Sequence, residues 1–228
     1  MCHEPLNVPL VEEGERSGGI RLASAVCLYF VMLAMILGPA ALFDTFTVPI
    51  LVGVAIANVG IVTGWAVASW SRIRGAVLNP GGPDDWAWAL SLVPVTVLLA
   101  LGVEALFVQL FDFSRPHTFL IVYDHFGSVP VLLLLMAVQP ALVEEVAFRG
   151  IIFDGLDALL GRREVIIATA LMFMILHLTM LSIVFLVVMG LLLGWLRHRS
   201  GSIWPPVALH FLHNAVVVLW SLAQSANG

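Results

Sequence analysis

VIIATALMFMILHLTMLSIVFLVVMGLLLGWL, residues 165–196, contains no Asp, Glu, Lys or Arg. Core helices and buried strands of soluble domains are shorter than this, and lipid is the surrounding that such a run fits. As one helix it would measure about 48 Å at 1.5 Å per residue. The hydrocarbon core of a bilayer is only about 30 Å thick. The run is therefore expected to fold back near Thr179–Ser182 and to supply two spans, the fifth and sixth of the chain.

The same reading extends outward. Residues 22–43, 48–70, 87–111, 129–152 and 203–222 are further apolar runs, the third interrupted by Glu104. A polar connection over 112–128 carries Asp112, Arg115, His117, Asp124 and His125. Of the 228 residues, 61% are hydrophobic and 11% charged, against roughly 45–50% and 25% in soluble domains. Mean hydropathy is +1.03. These values exclude a soluble globular enzyme and a disordered chain. A membrane barrel would show short alternating segments, whereas these runs are long and continuous, so helices satisfy the backbone. The fold class is all-α: a polytopic integral membrane helix bundle of about seven transmembrane helices. The chain divides into a polar, mobile N-terminal tail (1–20), N-terminal transmembrane helices (21–128) and a core carrying the chemistry (129–222). No internal repeat of the kind that marks many transporters is visible.

All ten basic residues are Arg. This coding bias points to a GC-rich bacterium, and hence to a bacterial plasma (inner) membrane. With the N-terminus cytoplasmic, the inner segments hold Arg16, Arg21, Arg72, Arg74, Arg162, Arg163, Arg197 and Arg199, and the outer ones hold only Arg115. The positive-inside rule favours that orientation. Glu4, Glu12, Glu13 and Glu15 argue against a nucleic-acid partner. Cys27 lies in the first apolar run, so a structural disulfide with Cys2 is not expected. A charged stretch of about twenty residues precedes that run, and the run is too long for a signal h-region, so a cleavable signal peptide is not expected either. Trp86, Trp88, Trp195, Trp204 and Trp220 fall near span ends and read as interfacial anchors.

Glu144, Glu145, Arg149, His177, His210, His213 and Asn214 all fall in expected spans. A charged side chain at mid-membrane costs about 2.5–3.5 kcal/mol on insertion scales, so the charged ones should face the protein interior or a water-filled cavity. Glu145 and Arg149 are four residues apart and can pair. Glu144 points about 100° away around the helix, free to face a cavity. Pro140 cannot donate to the carbonyl of Met136, so a kink or opening is expected one turn before Glu144. Phe173 and His177 share a face of span five, and His210 and Asn214 a face of span seven. Taken singly, each feature has a structural explanation. Glu145–Arg149 is then an ion pair, His177 a histidine bonded to a backbone carbonyl, and His210 with Asn214 interhelical glue. Glu104 is read as snorkelling, His198 as solvated, and His213 as structural on a face different from that of His210. Jointly, a carboxylate, two histidines and an amide on three spans make a hydrolytic set.

Glu144-Glu145-Val-Ala-Phe-Arg149 resembles the EExxxR motif of the CAAX-protease and bacteriocin-processing (CPBP, Abi) family of intramembrane proteases. Phe173-Met-Ile-Leu-His177 resembles its FxxxH motif and His210-Phe-Leu-His-Asn214 its HxxxN motif. The stretch from Gly190 through Gly194, Ser200-Gly201-Ser202 and Pro206 is similar to the run between the last two. The resemblance covers 129–222; residues 1–128 match by hydropathy alone. It implies a CAAX endopeptidase-like membrane protease in which Glu144 activates the attacking water and His177 shares that water. It further implies that His210 and Asn214 stabilise the oxyanion, while Glu145 and Arg149 shape the site.

No cofactor is fixed by the resemblance. Such enzymes are also described as metalloendopeptidases, and Glu144, His177 and His210 could equally be zinc ligands with an open position. The zinc motif HExxH and the serine-protease motif GxSG are both missing. The expected partners are the lipid bilayer and a membrane-associated peptide or protein substrate, with no nucleic acid. Two other classes stay open: a non-catalytic immunity or scaffold protein of the same fold, and, with less support, a transporter using the intramembrane acids.

Overall fold

The computed structural model describes residues 8–43, 47–111, 118–177 and 183–226, and these hold helices and no strand. In chain order the helices are α1 (Val8–Leu42), α2 (Val48–Ala68), α3 (Trp70–Leu78), α4 (Pro83–Phe111) and α5 (Thr118–Phe126). They continue with α6 (Val129–Asp157), α7 (Arg162–Leu176), α8 (Ile183–Ser200) and α9 (Trp204–Ser225). Among the described residues six helices are long and apolar enough to cross a membrane: α1 through its Ser17–Pro39 portion, α2, α4, α6, α8 and α9. The protein is an all-α polytopic integral membrane bundle. Phe30, Leu98, Val67 and Val184 are among the large apolar side chains left on its outer surface, where lipid covers them.

Several sequence expectations change in detail. The 165–196 run does divide into two helices, but α7 has 15 residues, about 22 Å, and is shorter than a full span. The expected break at Thr179–Ser182 lies outside the described residues, as do Asp112, Arg115, His117 and Cys2. The first helix starts at Val8, within the stretch read as a tail. Two short helices, α3 and α5, occupy what read as loops.

The interior of α6 departs from a regular α-helix. Leu134–Val138 and Val146–Ile152 are π-helical. Gln139 N–H donates to Leu134 O, five residues back, and Phe153 N–H likewise to Phe148 O. The first widened turn ends where Pro140 removes a donor, which is the local reason for it. The second has no such residue to explain it. The expected kink is thus an opening of the turn within a continuous helix.

Helix α6 packs against α1, α2, α7 and α9 and is central to the bundle. Between helices in lipid, close packing rather than water exclusion drives association, and small residues allow it. A Cβ on Gly155 would stand 2.6 Å from Ala25 Cβ and 2.8 Å from Arg21 O, so α1 crosses α6 in direct backbone contact. A Cβ on Gly190 would stand 2.8 Å from Ala170 Cα, which sets the α7–α8 contact. The main core gathers Leu28, Phe148, Ile151, Ile152 and Phe173, with Phe148 and Phe173 edge-to-face at 5.4 Å. The α8–α9 turn, where Gly201 takes φ 64°, is tied to the end of α3. Asn79 Nδ2 donates to Ser200 O at 2.9 Å, Ser202 Oγ to Asn79 O, and Trp204 Nε1 to Val77 O at 2.7 Å. These bonds fix the depth at which α9 presents His210.

Candidate active site

Glu144, His177, His210 and Asn214 line one cavity of about 320 Å³, together with Pro140, Phe173, Phe185, Leu186, Met189 and His213. Four helices meet there. Helix α6 brings Glu144 just past Pro140, α7 ends at His177, α8 supplies the apolar wall, and α9 supplies His210 and Asn214.

Beneath the cavity floor lies a buried ionic layer. Glu145 and Arg149 are both fully buried. Arg149 Nη1 donates to Glu145 Oε1 at 3.1 Å and Nη2 to Gly190 O at 3.2 Å. The guanidinium lies 4.8 Å from the Phe173 ring centroid and 5.7 Å from that of Phe148, close enough for cation–π attraction. The backbone carbonyl of Arg149, in the second π-helical turn, accepts from Arg197 Nε at 2.7 Å. Glu145 Oε1 also takes His210 Nδ1 at 2.9 Å. One carboxylate oxygen thereby links α6 to α9, and Arg149 links α6 to α8.

The two cavity histidines are oriented by their Nδ1 atoms. His177 caps the end of α7, and its Nδ1–H donates to Phe173 O at 2.8 Å. A carbonyl only accepts, so in the neutral ring Nε2 carries the lone pair. That Nε2 faces Glu144 Oε2 at 3.9 Å, beyond direct hydrogen-bond length. Among the described residues Glu144 Oε2 is buried and has no hydrogen-bond partner. The ring of Phe173 touches both histidines, at 4.6 Å from His177 and 5.8 Å from His210, and holds them apart.

Each motif residue read from the sequence is thus at the cavity or in the layer under it. His213 needs correction: it lines the same cavity as His210. Three residues along a helix is a turn of 300°, so the two rings sit only about 60° apart. Its Nδ1–H donates to Thr96 Oγ1 at 3.2 Å, and its ring stacks on Phe185 at 4.8 Å. No sequence signal points to Thr96, which lies on α4 in the N-terminal half, or to the Glu145–His210 bond. Glu104 lies apart, in a groove with Trp220 and Gln224.

Among the described residues no three His, Cys, Asp or Glu side chains come together closely enough to hold one ion. Glu144 faces His177, and His210 bonds Glu145 through Nδ1, which leaves its Nε2 on the cavity side unused among the described residues.

Comparison with known proteins bears on the same region. The profile of the Rce1-like family, type II CAAX prenyl endopeptidase Rce1-like, matches residues 126–216. The curated Bacillus subtilis (strain 168) protein named "Putative membrane peptidase YdiL" is 26% identical over 106 residues. That alignment covers 46% of this chain and 43% of the relative, so the chain spans less than half of the relative's length. No solved structure matches the chain. The matched region holds all three motifs and every residue of the cavity, so the likeness to the CAAX prenyl endopeptidase Rce1-like family and to a membrane peptidase falls on the site itself.

Proposed function

We propose that the protein is an intramembrane endopeptidase that hydrolyses a peptide bond of a membrane-associated protein or peptide with a water activated by Glu144. One observation carries the reading. Glu144 Oε2 and His177 Nε2 face each other at 3.9 Å, and with Glu144 ionised and His177 neutral both are acceptors. Two acceptors cannot bond to each other, but a water between them donates one hydrogen to each. Glu144 then takes a proton as the water oxygen bonds to the scissile carbonyl carbon, with His177 orienting that oxygen. Negative charge develops on the former carbonyl oxygen. The Asn214 side-chain amide is a donor for it. His210 is a second donor only as the imidazolium, with one N–H on Glu145 and the other toward the substrate. The C–N bond breaks as Glu144 returns its proton to the leaving amine. Arg149 and Glu145 act through His210 and are positioning residues. The arginine distribution supports a cytoplasmic N-terminus in a bacterial inner membrane, which would put the cavity toward the cytoplasmic side.

The test compares peptides released in cells carrying the wild-type protein with those in cells carrying Glu144→Gln. Gln keeps size and hydrogen bonding but cannot accept the proton, so fragments dependent on the protein should disappear. A Glu144→Gln protein that inserts normally, yields the same fragments and keeps the full cellular phenotype would sink the reading and favour a scaffold or immunity role.

A further inference from the structure

Away from the cavity, a groove of about 620 Å³ lies between α1, α2 and α3, lined by Ser17, Ile20, Arg21, Ser24, Trp65, Ala68, Ser69 and Arg72. It sits where the first membrane-spanning segment begins and the second ends, at one end of the bundle. Ser24 Oγ accepts from Trp65 Nε1 at 2.9 Å and from Arg72 Nη2 at 3.4 Å. Both lone pairs are then used, and the hydroxyl hydrogen has no acceptor among the described residues. Arg72 also donates from Nη2 to Ser69 Oγ at 2.6 Å, and its Nε lies 3.9 Å from Asp154 Oδ2. Its Nη1 has no such partner. Arg21 has no hydrogen bond or ion pair among the described residues. Two guanidiniums and a hydroxyl therefore point unmatched donors into one concave site, and a tetrahedral oxyanion is the ligand that satisfies them together.

We propose that this groove binds the phosphodiester of an anionic phospholipid. A lipid headgroup rather than a free phosphate is favoured by the position. The groove lies at the rim of membrane-spanning helices, and the acyl chains have the exposed Ile20 and the α2 surface beside them. Basic pockets between transmembrane helices at this level take anionic headgroups. The bound lipid would bridge α1 to α2 and α3 and so brace the side of the bundle on which α6 leans.

The test measures binding of a fluorescent phosphatidylglycerol to the purified full chain in neutral-lipid nanodiscs, with inorganic phosphate as competitor. Arg21→Gln should weaken binding about fivefold, and Arg21→Gln/Arg72→Gln by more than about tenfold. Arg163→Gln, an exposed arginine outside the groove, should leave it unchanged. Because the Arg21 side chain makes no described hydrogen bond or ion pair, its variant should fold even if the double variant does not. Equal loss from Arg163→Gln and Arg21→Gln would overturn the proposal by making the attraction a general surface charge effect. Displacement by millimolar inorganic phosphate would overturn the lipid assignment.

Discussion

Replacing Glu145 by Gln removes a fully buried carboxylate whose Oε1 holds Arg149 Nη1 at 3.1 Å and His210 Nδ1 at 2.9 Å. Arg149 would keep Gly190 O at 3.2 Å and the faces of Phe173 and Phe148, but no counter-charge within its own layer. Removing one member of a buried ion pair costs about 3–5 kcal/mol, because the other charge stays buried. The amide oxygen of Gln still accepts from one of the two donors. The loss is therefore expected at the lower end, about 3 kcal/mol, or a factor of roughly a hundred in the folding equilibrium. Glu144→Gln, one residue away, should change stability by less than about 0.5 kcal/mol, since Glu144 Oε2 has no partner to lose. The assay is reversible unfolding in mixed micelles of rising dodecyl sulfate content, followed by the fluorescence of the 7 tryptophans. Adding Arg149→Met to Glu145→Gln should recover part of the loss, because the stranded charge goes with it. Coincident unfolding curves for Glu145→Gln and wild type would refute the reasoning. So would a Glu144→Gln curve displaced as far as that of Glu145→Gln.

His210→Ala and Asn214→Ala should each lower turnover about 10²–10³-fold with little change in substrate affinity, read from kcat and KM separately, because oxyanion contacts form in the transition state. A loss confined to KM would remove them from that role. Gly190→Val should prevent stable insertion, measured by membrane yield, since its Cβ would meet the Ala170 backbone at 2.8 Å; normal yield would contradict the described α7–α8 contact. Cysteines placed in 72–85 and 197–202 of a chain lacking Cys2 and Cys27 should be labelled only from the cytoplasmic side, and labelling from the opposite side would reverse the orientation. Treatment with a strong chelator should leave hydrolysis intact, whereas loss that zinc restores would make Glu144, His177 and His210 ligands after all.

How far the sequence carried the reading follows from what each signal costs. Intramembrane Glu144, Glu145 and Arg149 stand out because lipid penalises them steeply, and the one-turn spacings of Phe173 with His177 and of His210 with Asn214 assign faces without a structure. The division of residues 165–196 follows from length against bilayer thickness alone. Hydropathy does not record azimuth and depth between helices. Glu145 bonds His210 across 65 positions of chain, and His213 reaches Thr96 across 117. Neither partner announces itself locally, since Thr96 reads as any polar residue in a span. The short α7 was equally hidden, since its composition continues unbroken toward α8 and hydropathy does not mark where a helix ends.

The π-helical turn at Leu134–Val138 makes the cavity sensitive to the count of residues in α6 as well as to their identity. Such a turn holds one residue more than an α-turn needs. Deleting one residue there would let α6 relax to a regular helix with the face of Glu144 still in register with Val129–Leu133, because the widened turn had absorbed the extra residue. A second deletion finds no surplus residue to remove, and would rotate the segment carrying Glu144 by about 100° relative to Val129–Leu133. No contact residue would have been replaced, yet the acid would leave the wall it shares with His177. One lost codon in this apolar stretch should therefore be tolerated where two silence the protein as fully as losing Glu144 itself.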